Sequence, residues 1–208
     1  MIDNPSNDYC VVICASGGGG NFQALIDGQK TAEDSTSRYQ IIKLITDRPC
    51  GALDRANQSG IEALSLDKKT LGAEEFWNRF DAAIPVETDL VVLAGFIPII
   101  PANICEKWKG RMINTHPSLL PKYGGKGMVG VKVQEAVIAA GDDMAGCTIH
   151  YVSPEIDGGQ IILQARIPVK TGESAWDLGG RVYKEENRIL VEAVLKLKER
   201  HRLNGKMD

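Results

Sequence analysis

Near its start the chain reads Tyr9-Cys-Val-Val-Ile-Cys-Ala15, a continuous apolar stretch that stops at Ser16 and the four glycines Gly17, Gly18, Gly19 and Gly20. A short apolar run without polar alternation suits a strand buried on both faces, as in a parallel sheet covered by helices. Phe22, Leu25 and Ile26 follow at helical spacing through Gln29, and Asn21 has the residue type that caps a helix. This order constrains the fold strongly, because parallel neighbours need a crossover rather than a tight hairpin. Tyr9–Ala15 is expected to be the first, central strand of an α/β sheet. The glycine turn after it can hold an anion, since backbone N–H groups there and at the helix start have no internal partners. A tight turn with no ligand fits the same spacing. The motif of a P-loop is absent, because Asn21-Phe22 stands where Gly-Lys-Ser/Thr would be needed. The dinucleotide fingerprint fits Gly17 to Gly19 but has Phe22 in place of its third glycine.

The rest of the chain continues the pattern. Strands are predicted at Gln40–Thr46, Ile61–Leu66 and Asp89–Ala94, alternating with helices at Gly51–Ser59 and Glu74–Ile84. Asp67-Lys68-Lys69 ends the third strand at the edge where open α/β sheets place ligands; the lysines either meet a phosphate or form a solvated turn. Phe76, Trp77 and Phe80 read as core. The apolar loop Gly95-Phe96-Ile97-Pro98-Ile99-Ile100 either packs under a neighbour or lines a ligand slot. Ala102–Trp108 and Val131–Ala140 read as helices, Arg111–Ile113 as a short strand, and Gly146–Val152 with Gln160–Val169 as a hairpin. Ser174-Ala-Trp-Asp opens a long C-terminal helix that precedes a basic tail, Lys198 to Lys206. The fold class predicted is α/β: an open, mostly parallel twisted sheet with a Rossmann-like N-terminal half and a C-terminal hairpin plus long helix. One domain, residues 1–208, is expected from the length.

Composition narrows the function. The net charge is -3 with scattered basic residues, which leaves no electrostatic footprint for nucleic acid. The odd set Cys10, Cys14, Cys50, Cys105 and Cys147 lacks metal-site spacing and reads as free thiols in a reducing cytosol. Met1 to Asp8 is polar and acidic, unlike a signal peptide, and no run reaches membrane-spanning length, so a soluble cytoplasmic protein is expected.

Chemistry concentrates in Asn114-Thr-His-Pro-Ser-Leu-Leu-Pro121 and a distant Asp157-Gly-Gly159. Only three histidines exist, and His201 lies in the polar tail, so His116 and His150 carry the sharper hypotheses. Strand alternation puts Asn114 and His116 on one face. An amide, an imidazole and a carboxylate suit polarising a carbonyl and moving protons from an attacking amine. Ser118 lacks the Gly-x-Ser-x-Gly elbow of a serine hydrolase, and His116 and His150 are not at short metal-ligand spacing, so no metal is expected. On chemistry alone His116 is either a site residue or a structural one, and His150 on its alternating strand reads first as a satisfied structural histidine.

Asn114-Thr-His-Pro-Ser-Leu-Leu-Pro-Lys-Tyr123, Asp157-Gly-Gly-Gln-Ile-Ile-Leu-Gln164 and Leu93-Ala-Gly-Phe96 together resemble the phosphoribosylglycinamide formyltransferase family, over about Tyr9 to Val194. Related enzymes for methionyl-tRNA or formyltetrahydrofolate carry an added domain for which this length leaves no expected room. The resemblance implies an enzyme of purine synthesis. It would move the formyl group of 10-formyltetrahydrofolate to the amine of glycinamide ribonucleotide directly, through a tetrahedral intermediate. By that match Asn114 and His116 stabilise the oxyanion, and Asp157 orients His116 and assists proton movement. Gly17 to Asn21 hold the substrate phosphate and Glu186 the ribose hydroxyls. Ile97, Pro98, Ile99 and Ile100 with Ile156 and Gly158 form the folate slot, and His150 matches a histidine near the site. Residues 9–100 would carry phosphate binding and residues 101–197 catalysis and folate binding. Gly18 and Gly20 stand where the family carries polar residues, Pro98 where it carries an arginine for the folate tail, and the family's phosphate-contacting arginine has no clear counterpart. Lys68, Lys69 or Lys170 is expected to supply that missing charge. A formyltransferase acting on another amine, such as an amino sugar nucleotide, and a nucleotide-binding module without catalysis are the alternatives.

Overall fold

The computed structural model describes residues 9–31 and 39–204, so the expectations for Met1 to Asp8 and for the end of the basic tail lie outside the described residues. The chain divides into two compact units, residues 1–98 with 191–208, and residues 99–190.

The first unit is built from β1 (Tyr9–Ala15), α1 (Gly20–Thr31), β2 (Tyr39–Thr46), α2 (Ala52–Gln58), β3 (Ala63–Ser65), α3 (Lys68–Leu71), α4 (Ala73–Ala83) and β4 (Leu90–Leu93). Its strands are parallel: β1 pairs β2 on one side and β4 on the other, and β2 pairs β3. Val11 to Ala15 and Leu90 to Val92 are almost wholly excluded from solvent, which explains why both strands read as unbroken apolar runs. Phe76 and Phe80 are fully buried, and Phe80 stacks on Phe96 with ring centroids 5.6 Å apart. Three local differences from the sequence reading have simple causes. Gly19, at φ 71, turns the chain so that α1 begins at Gly20, and Asn21 sits inside the first turn rather than at its cap. Asp67 accepts from the Lys69 amide at 3.0 Å, so its expected turn becomes the short α3. Ile61 and Glu62 fall outside β3, which keeps only the residues that pair with Leu44 to Thr46.

The second unit contains α5 (Ala102–Lys107), β5 (Met112–His116), α6 (Val131–Ala139), β6 (Met144–Tyr151), β7 (Ile161–Pro168) and the first part of α7 (Ala175–Asn204). Here pairing is antiparallel, β5 with β6 and β6 with β7. Ser174 Oγ accepts from the Asp177 amide at 3.2 Å and starts α7, which runs through Lys198 and His201 into the stretch expected as a tail. The sheet order is β3-β2-β1-β4-β5-β6-β7, a mixed, mostly parallel sheet of the α/β class. No helix among the described residues is long and apolar enough to cross a membrane.

Candidate active site

The second unit brings Asn114, His116, His150 and Asp157 together. β5 and β6 are in a register that sets Asn114 opposite His150 and His116 opposite Thr148. Asn114 Nδ2 lies 3.1 Å from His150 Nε2, and His150 Nδ1 lies 2.9 Å from the Tyr151 carbonyl oxygen. A carbonyl can only accept, so the proton of His150 sits on Nδ1 and its Nε2 accepts from the Asn114 amide. This assigns both the tautomer of His150 and the orientation of the carboxamide, whose second N–H stays available. Burial pushes the His150 imidazole below its ordinary value of 6.5, consistent with a neutral ring. The expected structural histidine thus also aims a site residue.

His116 is almost fully buried, with Nε2 2.8 Å from the Tyr123 carbonyl and Nδ1 3.5 Å from Asp157 Oδ2. Both ring nitrogens therefore face oxygen acceptors. A neutral ring can satisfy one of them and an imidazolium both. Asp157 reaches this position from a turn in which its own φ is 56, a left-handed conformation that aspartate tolerates better than most residues. Its Oδ2 accepts from the Gly125 amide at 2.8 Å and its Oδ1 lies 3.7 Å from His150 Nε2. Gly159 closes the turn against β6. A Cβ there would stand 1.7 Å from the Tyr151 carbonyl oxygen, so only glycine fits.

The loop that follows β5 is tied down by side chains that gave no sequence signal. Thr148 Oγ1 donates to the Ser118 carbonyl at 2.7 Å and accepts from the Leu120 amide, while Gln164 Nε2 donates to the Leu120 carbonyl at 2.9 Å. Gln134 of α6 donates to the Pro117 carbonyl at 2.7 Å. Ser118 Oγ donates to the Lys122 carbonyl at 2.6 Å, a structural bond rather than a nucleophile's setting. Asp142 then accepts from Lys122 Nζ at 2.9 Å and Tyr123 Oη at 3.0 Å, and these two bonds, Lys122 first, hold its carboxyl below the usual range. The peptide Leu120–Pro121 is cis, and Tyr123 has φ 57. The carbonyl that meets His116 is therefore fixed by a latch on Asp142.

In the first unit the loops that leave β1 and β4 lie side by side, at the point where strand order reverses and α/β sheets bind ligands. Ser16 joins them: its amide donates to the Gly95 carbonyl at 3.1 Å and its Oγ accepts from the Ile97 amide at 2.8 Å. Gly17 and Gly18 are exposed, whereas Gly19 and Asn21 are buried. Along Phe96 to Ile100 exposure alternates, so that Ile97 and Ile99 project with 53% and 54% of their surface free while Pro98 and Ile100 are buried. Lys68 Nζ sits 5.5 Å and 5.3 Å from the ring centroids of Phe76 and Trp77, a cation–π arrangement, and Lys69 belongs to the same short helix. Arg55, which sequence reasoning passed over, donates from Nε to the Gly18 carbonyl at 2.7 Å.

Elsewhere in the second unit Glu186 is buried on α7, Ile156 is 38% exposed, and Lys170 is exposed. The Cys147 thiol on β6 is pushed up to about 12 by burial, with the Glu186 carboxylate adding to the shift. Among the described residues no group of His, Cys, Asp and Glu could hold a metal ion.

A family model described as formyl transferase matches residues 10–194. The chain belongs to the formyl transferase family. This formyl transferase is 35% identical over 184 residues to the phosphoribosylglycinamide formyltransferase of Escherichia coli (strain K12), covering 86% of this chain and 82% of that protein. It is also 38% identical over 191 residues to the trifunctional purine biosynthetic protein adenosine-3 of Bos taurus, where it covers 88% of this chain but spans only 18% of the bovine length. Among solved structures, glycinamide ribonucleotide transformylase 1 from Symbiobacterium toebii superposes with a TM-score of 0.84 at 31% identity, covering 93% of this chain and 89% of that one. The region matched as formyl transferase contains the glycine loop, the four side chains of the second-unit cluster and Glu186.

Proposed function

We propose that this chain transfers the formyl group of 10-formyltetrahydrofolate to the amine of glycinamide ribonucleotide, and that it does so in the cytoplasm as one formyltransferase domain, with phosphate binding in residues 9–100 and catalysis and folate binding in residues 101–197. The observation that carries the reading is the Asn114–His150 and His116–Asp157 pairing inside a chain of the formyl transferase family. Formyl folate is a co-substrate here. Ile97, Ile99 and Ile156 offer exposed apolar side chains that fit the faces of its ring system, whereas buried Pro98 and Ile100 shape the loop from beneath. The turn at Gly158 supplies backbone polar groups.

The chemistry follows from the donors. The substrate amine attacks the formyl carbon, a C–N bond forms, and the carbonyl oxygen becomes an oxyanion. The free N–H of Asn114 donates to that oxygen, a stabilisation worth roughly 3 to 4 kcal/mol in a water-poor site. A His116 imidazolium, its N–H groups held by the Tyr123 carbonyl and Asp157, stabilises the oxyanion by its charge. Asp157 offsets the charge of an imidazolium and takes up the proton that leaves the attacking nitrogen, through water. The carbon–nitrogen bond to the folate then breaks, and the leaving nitrogen regains a proton. No protein nucleophile is required. Gly17 to Asn21 would receive the ribonucleotide phosphate and Glu186 the ribose hydroxyls.

The test mixes the protein with both substrates and follows deformylated folate by absorbance and formylated ribonucleotide by mass spectrometry. Turnover with glycinamide ribonucleotide, in preference to amino sugar nucleotides in the same panel, is the expected result. Absence of product, or equal rates with the amino sugars, overturns the assignment.

A further inference from the structure

Helix α2 of the first unit faces the glycine loop with two donors, and both go to loop carbonyls. The Ala52 amide donates to the Gly17 carbonyl at 3.1 Å, and Arg55 Nε donates to the Gly18 carbonyl at 2.7 Å. Arg55 Nη1 also donates to Gln23 Oε1 on α1 at 3.0 Å, so the guanidinium bridges the loop and the helix that follows it. The only cis peptide among the described residues is Leu120–Pro121, hence the peptides Gly17–Gly18 and Gly18–Gly19 are trans. In a trans peptide the C=O and N–H point in opposite directions. Fixing the two carbonyls onto α2 therefore turns the Gly18 and Gly19 N–H groups the other way. Among the described residues neither N–H finds an acceptor, although Gly19 is buried. A buried donor left without an acceptor is rare in a folded chain and points to a ligand. Gly17 and Gly18 leave open space where a Cβ would stand, so the loop is accessible from outside. Gly19 leaves none: a Cβ would lie 2.9 Å from the Ala52 backbone, which keeps α2 pressed against the loop.

We infer that Arg55 is a positioning residue for substrate phosphate, acting as a clasp that holds the Gly18 carbonyl away so that the Gly18 and Gly19 amides face the anion. The inference rests on the phosphate-loop reading given above. It also answers the absence of the expected arginine with a positive charge from α2 beside the loop, while the Lys68 ammonium lies over Phe76 and Trp77.

The experiment compares wild type with Arg55→Ala, Arg55→Lys and Gln23→Met. Binding of inorganic phosphate is measured by titration calorimetry, and steady-state constants are measured for both substrates and for the dephosphorylated ribonucleoside. Arg55→Ala is expected to weaken phosphate binding and raise KM for the ribonucleotide about tenfold, the scale of one charge-assisted hydrogen bond, with kcat, the folate KM and kcat/KM for the ribonucleoside unchanged. Added guanidinium ion at millimolar concentration should restore part of the affinity in Arg55→Ala and do nothing to wild type. Gln23→Met, which removes the second acceptor together with the exposed Gln23 Nε2 bond to Asp27 and keeps Arg55, should raise the ribonucleotide KM about two- to threefold. Unchanged ribonucleotide KM in Gln23→Met and Arg55→Lys, or equal losses for ribonucleotide and ribonucleoside, overturns the clasp. Phosphate binding that weakens in Arg55→Ala while wild type forms no formylated product would sustain the clasp and sink the proposed reaction, so the two claims fail separately.

Discussion

The glycine loop of the first unit and the Asn114–His116–Asp157 cluster of the second solve opposite problems. The loop offers backbone N–H groups, and its side chains are nothing more than hydrogen atoms at Gly17 to Gly20. The cluster offers side-chain atoms held by other side chains and by carbonyls. A backbone site depends on conformation and tolerates composition, whereas a side-chain site depends on residue identity and on the geometry of each partner. Substitutions should therefore damage the two regions in different kinetic constants.

The largest break is expected at the cluster. His116→Ala or Asp157→Asn should lower kcat by about 10³-fold or more while far-ultraviolet dichroism and melting temperature stay close to wild type. Near wild-type turnover in both would remove them from the chemistry. Next comes the loop. Gly19→Ala meets Ala52 at 2.9 Å and must hold φ near 71, so the ribonucleotide KM should rise about 30-fold, equivalent to about 2 kcal/mol of strain, with kcat little changed. Gly18→Ser, placed in open space, should shift the same constant less than about threefold. Equal effects of the two substitutions would contradict a site built from backbone.

A smaller effect tests how the side-chain site is held. Asp142→Ala releases Lys122 and Tyr123 and with them the carbonyl that meets His116, so kcat should fall about tenfold with substrate KM values unchanged. A rise in both KM values instead would point to general loosening. The smallest effect concerns pH. The folded imidazole of His150 lies below its ordinary 6.5, so as pH falls the unfolded chain binds this proton first. Its contribution to stability is complete above pH 6.5 and is lost below, with a slope of at most about 1.4 kcal/mol per pH unit. Urea midpoints at pH 7.5 and 5.5 should differ less in His150→Gln than in wild type. The glycine run carries no titratable group and should add nothing to that difference.

How much could be read in advance differs between the two regions as well. The apolar run Tyr9–Ala15 coincides with β1 because full burial on both faces leaves no room for polar residues. The alternation that placed Asn114 and His116 on one face is realised in β5, which extends to include both. The Arg55 clasp, the Thr148 and Gln164 ties and the Asp142 latch were invisible. The clasp and the two ties each join a side chain to a carbonyl far away in sequence, and a carbonyl has the same chemistry at every residue type. The latch joins side chains 19 and 20 residues apart, beyond the reach of local periodicity. Ser16 gave no local signal either, as its hydroxyl accepts from the Ile97 amide at a separation of 81 residues.

Residue order alone determined the α/β class, the strand–glycine–helix start and the concentration of amide, imidazole and carboxylate in two short motifs, because periodicity and local turn chemistry act between near neighbours. Only the tertiary structure decided which nitrogen of His150 carries its proton, that Asp157 stands beside His116, and that Arg55 bonds the Gly18 carbonyl of the glycine loop. Those facts depend on which acceptor lies within about 3 Å of a given atom, and that distance is set by sheet register and helix packing.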